Sequence, residues 1–505
     1  MIEQNNVHRF LFICSSLLIS LIYSTPVINE TSSIPLLLLI SFDGFRWDYP
    51  DIYQLPHFDS LLKRGVRVKH IDNSFATVTF PSHYTMVTGL YEETHGIVAN
   101  SMYDPILNAV TNISTMNDTK WWSQNPYSQP IWISNQLVNS TLQRRSGVIA
   151  WPGSNVPING YRPHKYQLFD ATRPLDNAFK QVLDWFREPM STRINFGAVY
   201  HSEPDVTGHF YGPISSQMNE TLKKCDDYVR ELLEMIDKDE YLRNNLNVII
   251  TSDHGMHDVE KTHRIILEDY IDKSLFTAYG GRAFANIFVN KPSDIDRLYA
   301  NLSKLPNYDV YKKAQIPDEY HYKSNVRIGD ILIVGKVGYD VILPGDNSFM
   351  NIVGNHGYDN RAESMHPILY AFGPAFYRNL LAEPFRNVDL YPLMSHVLHL
   401  KQRTTNGSLS NVKHILIDFR QDMFSLILGK RNSFIFLNIY LIDLVVICLI
   451  VMILIAIIFI VCACRHSRQL IYVTSNRTPV EYHLLKSQDG ILDDSIESEN
   501  EDDEV

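Results

Sequence analysis

Cysteine is scarce in this chain. Its 505 residues include five: Cys14, Cys225, Cys448, Cys462 and Cys464. Four of them lie in or beside apolar runs at the two ends. Only Cys225 lies between, so the long middle region forms no internal disulfide. Cys225 reads as a buried helical thiol or as the anchor of a bridge to a second chain, and the oligomeric state stays open. Basic charge is also short. Lys and Arg number 45 against 56 Asp and Glu, a net charge of -11. The tail from Arg465 holds 10 acidic and 4 basic residues, or -6 of that total, which leaves -5 for the rest. This excludes a nucleic-acid-binding surface. No internal repeat is found. Hydrophobic residues make up 45% of the chain, enough for one large catalytic domain or two ordinary ones.

What is present begins at the ends. An apolar run from His8 to Tyr23, followed by Ser24-Thr-Pro, has the length of a signal peptide, assigned to residues 1–24 with a short linker over 25–33. A transmembrane helix is assigned to 434–464, its continuous apolar part running from Leu444 to Cys464. Arg465, His466 and Arg468 follow at once. The positive-inside rule then puts the acidic tail, 465–505, in the cytoplasm. The expected topology is single-pass type I at the plasma membrane, with the bulk of the chain extracellular. Asn-x-Ser/Thr sequons at Asn29, Asn112, Asn117, Asn139, Asn219, Asn301 and Asn406 all fall on the outer side, as a glycosylated ectodomain requires.

Between the ends, buried strands alternate with amphipathic helices. Ile34 to Ser41, Asn195 to Tyr200 and Leu246 to Thr251 are continuous apolar runs, suited to strands covered on both faces. Helical patterns lie at Leu55 to Arg64, Pro174 to Phe186 and Gln217 to Lys238. The pattern predicts an α/β fold with a mostly parallel central sheet and helices on both faces. The catalytic domain is expected over 34–400, with a small inserted cap at about 267–343 and a juxtamembrane connector over 401–433. Pro367 to Phe372 reads as a further core strand and Val388 to Leu400 as a closing helix.

Each of the three apolar runs ends in a polar motif: Asp43-Gly44, Glu203-Pro-Asp205 and Asp253-His254. That is the carboxyl edge of the sheet, where α/β folds bind ligands. Asp205 and His209 stand one helical turn apart and can reach one ion. Asp253 and His254 converge as the backbone turns at a strand end. Mixed carboxylate and imidazole ligands favour zinc. Thr79, in Phe75-Ala-Thr-Val-Thr-Phe-Pro-Ser-His-Tyr84, precedes a helical pattern, where free N–H groups favour phosphate. With Gly354-Asn-His-Gly357, these motifs read as a two-metal phosphoryl-transfer site with Thr79 as nucleophile.

Those motifs carry a resemblance. Phe42-Asp-Gly-Phe-Arg46, Thr79-Phe-Pro-Ser-His-Tyr84, His95-Gly-Ile-Val-Ala-Asn100, Trp151-Pro-Gly-Ser154, Ser252-Asp-His-Gly-Met256 and His356-Gly-Tyr-Asp359 are among the matching stretches. They resemble the ectonucleotide pyrophosphatase/phosphodiesterase family of the alkaline phosphatase superfamily, in its short type I membrane branch. The resemblance implies two zinc ions per chain. Asp43, Thr79, Asp253 and His254 would hold one, and Asp205, His209 and His356 the other. It implies that Asn100 and the Thr79 N–H hold a phosphate oxygen. It also implies a substrate pocket of Phe80, Trp151, Asn155, Phe169 and Tyr200. Two positions depart from the family pattern: Val78 stands where Lys is usual, and Ser82 where Asn is usual.

The function expected is hydrolysis of phosphodiester or pyrophosphate bonds in extracellular nucleotides, releasing nucleoside 5'-monophosphates through a phosphothreonine intermediate. Two alternatives stay open: a choline-lipid phosphodiesterase, whose cation an aromatic pocket also suits, and a catalytically retired surface adhesion or receptor protein. The complete metal set argues against the second. A sulfatase is disfavoured, since no Cys or Ser stands in a Cys/Ser-x-Pro-x-Arg context.

Overall fold

A computed structural model describes residues 34–138, 143–346 and 351–417, together with 449, 452, 455 and 456. The chain divides into two units, Met1–Asp418 and Phe419–Val505. The strands used below are β1 (Leu36–Phe42), β2 (Gly65–Val68), β3 (Ser146–Ile149), β4 (Lys165–Gln167), β5 (Phe196–His201), β6 (Leu246–Thr251), β7 (Phe276–Gly280), β8 (Phe284–Val289), β9 (Tyr308–Lys312), β10 (Ile331–Gly335), β11 (Leu369–Phe372) and β12 (Leu380–Ala382). The helices are α1 (Pro56–Arg64), α2 (Thr79–Thr88), α3 (Leu175–Arg187), α4 (Asp205–Tyr211), α5 (Ser216–Asp237) and α6 (Leu390–Val397).

The central sheet has eight strands in the order β12-β2-β11-β6-β1-β5-β3-β4. All run parallel except β11, which is antiparallel to both β2 and β6. The expected mostly parallel sheet is therefore observed, with one reversed strand. Alternation along β1 shows why both faces must be covered. Leu37 and Leu39 enter one core with residues of α2 and α6. Leu36, Leu38 and Ile40 enter a second core with residues of α1, α3 and α5. Every residue of β1 is buried, so no register shift could expose a polar face to water.

The insertion is a smaller layer with its own core. Its sheet has the order β7-β8-β10-β9 and is antiparallel throughout. Leu298 and Leu302, on the helix Ile295–Leu302, pack on Ile287 and Ile333. The closing helix is shorter than the pattern predicts: a 3-10 turn at Asn387–Asp389 precedes α6.

The first unit also continues past Leu400. Val412 and Ile415 are buried, and Ile417 N–H donates to the Ala375 carbonyl. Residues 409–417, expected to belong to the connector, pack on the domain. The expected signal peptide, the linker and the sequons Asn29 and Asn139 lie outside the described residues, as does almost all of the expected membrane span. Among the described residues no helix is long and apolar enough to cross a membrane.

Candidate active site

The site forms where β1 lies between β5 and β6. Phe42 pairs with His201 and Ser41 with Thr251, so the polar motifs that follow emerge side by side. Asp205 N–H donates to the Asp43 carbonyl at 2.9 Å. Gly44 makes this approach possible. Its φ is +69°, and a Cβ there would lie 2.8 Å from the Asp205 Cα. His356 reaches the same place from the far side of the insertion. Gly354–Asn355 pairs antiparallel with His257–Asp258, just beyond Asp253 and His254.

Two groups of ligand-type atoms result. In the first, His254 Nε2 lies 3.2 Å from Asp253 Oδ2, 3.4 Å from Asp43 Oδ1 and 3.5 Å from Thr79 Oγ1. In the second, His209 Nε2 lies 3.4 Å from Asp205 Oδ2 and 3.2 Å from His356 Nε2, which is 3.5 Å from Asp205 Oδ1. The groups adjoin, for the His254 and His356 rings stack with centroids 3.5 Å apart. All seven residues expected to hold metal are thus brought together.

The hydrogen bonds around these atoms fit metal ions. Each imidazole donates its Nδ1 proton to a backbone carbonyl: His254 to Gly255, His356 to Thr77 and His209 to Gly354. This fixes the tautomer and leaves every Nε2 lone pair facing the site. The carboxylates are divided in the same way. Asp253 Oδ1 accepts from the Gly44 and His254 N–H groups, and Asp43 Oδ2 accepts from the Tyr200 hydroxyl at 2.5 Å. Asp253 Oδ2, Asp43 Oδ1 and Asp205 Oδ1 are buried with no hydrogen-bond partner. Three unpartnered carboxylate oxygens in one place are costly unless cations satisfy them. Burial and the neighbouring Asp253 and Asp205 hold Asp43 well above the usual carboxylate range, and burial depresses His254 well below the usual imidazole value.

Thr79 is the first residue of α2, one place inside the helix rather than just before it. Val78 is the extended N-cap residue. The Phe80 N–H is taken by Asn100 Oδ1 at 2.9 Å, which fixes the Asn100 amide with its NH2 edge left to donate. His83 was not anticipated as a site residue. Fully buried one turn after Thr79, it donates from Nδ1 to the Thr79 carbonyl at 2.8 Å, lies 3.4 Å from Asp253 Oδ2, and accepts from Ser41 Oγ at Nε2. It ties the nucleophile's backbone to β1 and to a ligand carboxylate. The i,i+4 spacing from Thr79 was the one sequence signal for it.

The other end of α2 is seated on a buried acid. Glu92 Oε1 accepts from Ser74 Oγ at 2.5 Å and from Thr85 Oγ1 at 3.1 Å. Burial pushes the Glu92 carboxyl up to about 8. The folded protein therefore keeps this proton at pH values where the unfolded chain has released it. The stability contributed is full below the ordinary carboxylate range and is lost as pH rises towards about 8. Glu92→Gln keeps the shape without the proton. Melting temperatures measured from about pH 5 to about pH 9 should fall less steeply for the variant than for the wild type. Parallel curves would mean that Glu92 does not carry this proton.

Beside Thr79 lies a cavity of about 560 Å³, lined in part by Phe80, Trp151, Asn155, Phe169 and Tyr200. All five expected pocket residues are therefore present, but in different roles. Phe169 is 53% exposed and offers a free ring face. Phe80 is half-buried, its ring 6.0 Å from that of Trp122. Trp151 is almost wholly buried, its indole N–H directed to the His83 carbonyl at 3.3 Å, so it backs the cavity. Tyr200 spends its hydroxyl on Asp43. Among the described residues no Lys or Arg lines this cavity.

A family model described as type I phosphodiesterase / nucleotide pyrophosphatase matches residues 37–359. The chain belongs to this family. It is an enzyme of the nucleotide pyrophosphatase/phosphodiesterase class. Family membership covers all the strand-end motifs and His356. The chain is 40% identical over 409 residues to ectonucleotide pyrophosphatase/phosphodiesterase family member 5 of Homo sapiens, covering 79% of this chain and 83% of the relative. It is 40% identical over 392 residues to a bis(5'-adenosyl)-triphosphatase of Mus musculus, covering 77% of this chain and 83% of the relative. Among solved structures it is similar to murine family member 5 in an inactive threonine-to-alanine form with AMP. The TM-score is 0.71 at 39% identity, covering 76% of this chain and all of that one.

Proposed function

We propose that this protein is a cell-surface, zinc-dependent hydrolase that cleaves phosphodiester and pyrophosphate bonds of extracellular nucleotides and releases nucleoside 5'-monophosphates. The observation that carries the reading is Thr79 Oγ1, placed at a helix N-terminus between the ligand cluster and an aromatic cavity without a cation. Asp43, Thr79, Asp253 and His254 would hold one zinc, and Asp205, His209 and His356 the second. Bound zinc supplies positive charge that acidifies a hydroxyl or water and offsets charge building on phosphoryl oxygens.

The chain's own groups do the rest. Thr79 Oγ1 gives up its proton to solvent and forms a bond to phosphorus as the far half of the substrate leaves with the electrons of its P–O bond. The Asn100 NH2 and the Thr79 N–H hold the phosphoryl oxygens. Water then breaks the phosphothreonine and restores the hydroxyl. Phe169 stacks on the base of the nucleoside that is retained, and Phe80 lines the same cavity. The absence of Lys and Arg from the cavity lining among the described residues favours a diester, with one negative charge, over a monoester with about two.

A substrate panel tests the reading. Dinucleotides and nucleotide diesters should turn over faster than monoesters or lysophosphatidylcholine. Phe169→Ala should raise KM for nucleotides about tenfold, since stacking on one base is worth about 1–3 kcal/mol, and should barely affect a small chromogenic diester. A wild-type protein that prefers lysophosphatidylcholine would sink the assignment. The proposed topology rests on the apolar end runs, the sequons and the basic residues at Arg465 and Arg468. Intact cells should hydrolyse an impermeant dinucleotide, and activity released only by lysis would contradict an outward-facing site.

A further inference from the structure

The sequon Asn117-Asp-Thr119 does not sit on a neutral stretch of surface. Asn117 is exposed and lines the cavity beside Thr79, as do Ile113, Ser114 and Met116 before it. The backbone on either side of it is held in place. Met116 is buried, and its carbonyl accepts from the Trp122 indole N–H at 2.9 Å. Asp118 caps the helix Thr119–Trp122 by accepting from the Lys120 N–H. A group attached at Asn117 is therefore rooted at the cavity mouth. Asn301 and Asn406 are also exposed but do not line this cavity.

We propose that Asn117 carries an N-linked glycan that forms the outer wall of the nucleotide cavity and restricts it to nucleosides without bulky extensions. The inference rests on the outward topology and nucleotide substrate proposed above. The modification joins C1 of the first sugar to Asn117 Nδ2. It breaks the C1–O bond to a lipid-diphosphate-linked oligosaccharide of the secretory pathway, the diphosphate leaves with the bonding electrons, and the amide nitrogen gives up one proton. A bulky, hydrated chain at this lip leaves room for a base against Phe169 but crowds anything attached to that base.

The test uses the full-length protein from a secretory expression host. Mass spectrometry should find the glycan at Asn117. Activity is compared on diadenosine triphosphate and on the same dinucleotide with a bulky fluorophore on each purine. The wild type should favour the plain substrate by about tenfold or more, the scale on which a pocket rejects excess bulk. Thr119→Ala removes the sequon but keeps Asn117, and should largely erase that preference. Thr119→Ser keeps the sequon and should retain it. If Thr119→Ala does not fold, wild-type protein trimmed by an endoglycosidase to one sugar gives the same comparison. An unchanged preference after loss of the glycan overturns the inference, as does a bare Asn117 beside glycosylated Asn301 and Asn406. If all three asparagines are bare, the proposed topology fails with it. A protein glycosylated at Asn117 but inactive on both dinucleotides overturns the nucleotide reading, and the selective wall with it.

Discussion

Thr79→Ala should lower kcat by on the order of 10³-fold or more, the loss seen when a covalent nucleophile is deleted. Thr79 Oγ1 is the hydroxyl found at the start of α2 facing the ligand cluster, 3.5 Å from His254 Nε2. That separation is long for a hydrogen bond and natural for two groups that touch one ion. The variant should fold normally, because Val78 caps the helix through its backbone and no side-chain cap bond is lost. It should also keep most of its metal, since Asp43, Asp253 and His254 remain. Thr79→Ser should recover part of the rate. Single-turnover assays with labelled nucleotide should trap label on the serine or threonine protein and not on the alanine protein. An alanine variant as fast as wild type would show that water attacks phosphorus directly.

Metal removal should have an effect of similar size. Chelation should abolish turnover, and protein purified without chelator should contain close to two zinc per chain. The argument is electrostatic. Asp43, Asp205 and Asp253 each leave one buried oxygen unpartnered, and three imidazole lone pairs face the same place. Without cations these groups repel one another and carry the full cost of burial. With cations that cost becomes binding energy, so zinc should raise the melting temperature. His209→Ala should lower zinc content towards one per chain, because the other group keeps all its ligands. Metal-free protein with full activity would refute the two-zinc site.

Much of the site was legible because its motifs follow apolar runs. Ile34 to Ser41, Asn195 to Tyr200 and Leu246 to Thr251 lack the alternation of a half-exposed strand, and each ends abruptly in acidic residues. A parallel sheet places such endings at one edge, whatever the strand order. Strand direction was less legible. Leu369–Phe372 looked like any core strand, and its reversal depends on pairing with Gly65–Val68 and Leu246–Thr251, far away in the chain. Residues 409–417 carry apolar side chains at Leu409, Val412, Ile415, Leu416 and Ile417, but the run is short, and the surface it packs on appears only in three dimensions. Trp151 and Tyr200 read as faces for a ligand because aromatic identity says nothing of which edge is already engaged. Their hydrogen bonds to the His83 carbonyl and to Asp43 settle that.

The uncharged lining of the cavity has a kinetic consequence. Nucleotides are anions, and outside the tail the chain carries a formal -5. Among the described residues no Lys or Arg lines the cavity, so no side-chain cation of its lining draws substrate in from a distance. Approach is opposed until the ligand comes within short range of the metal-holding groups. Salt shortens the reach of that opposition, to about 8 Å at physiological ionic strength. The encounter rate should therefore rise as salt is added, opposite in sign to enzymes whose basic funnels steer anions inward. Capture here depends on local concentration and on stacking after contact.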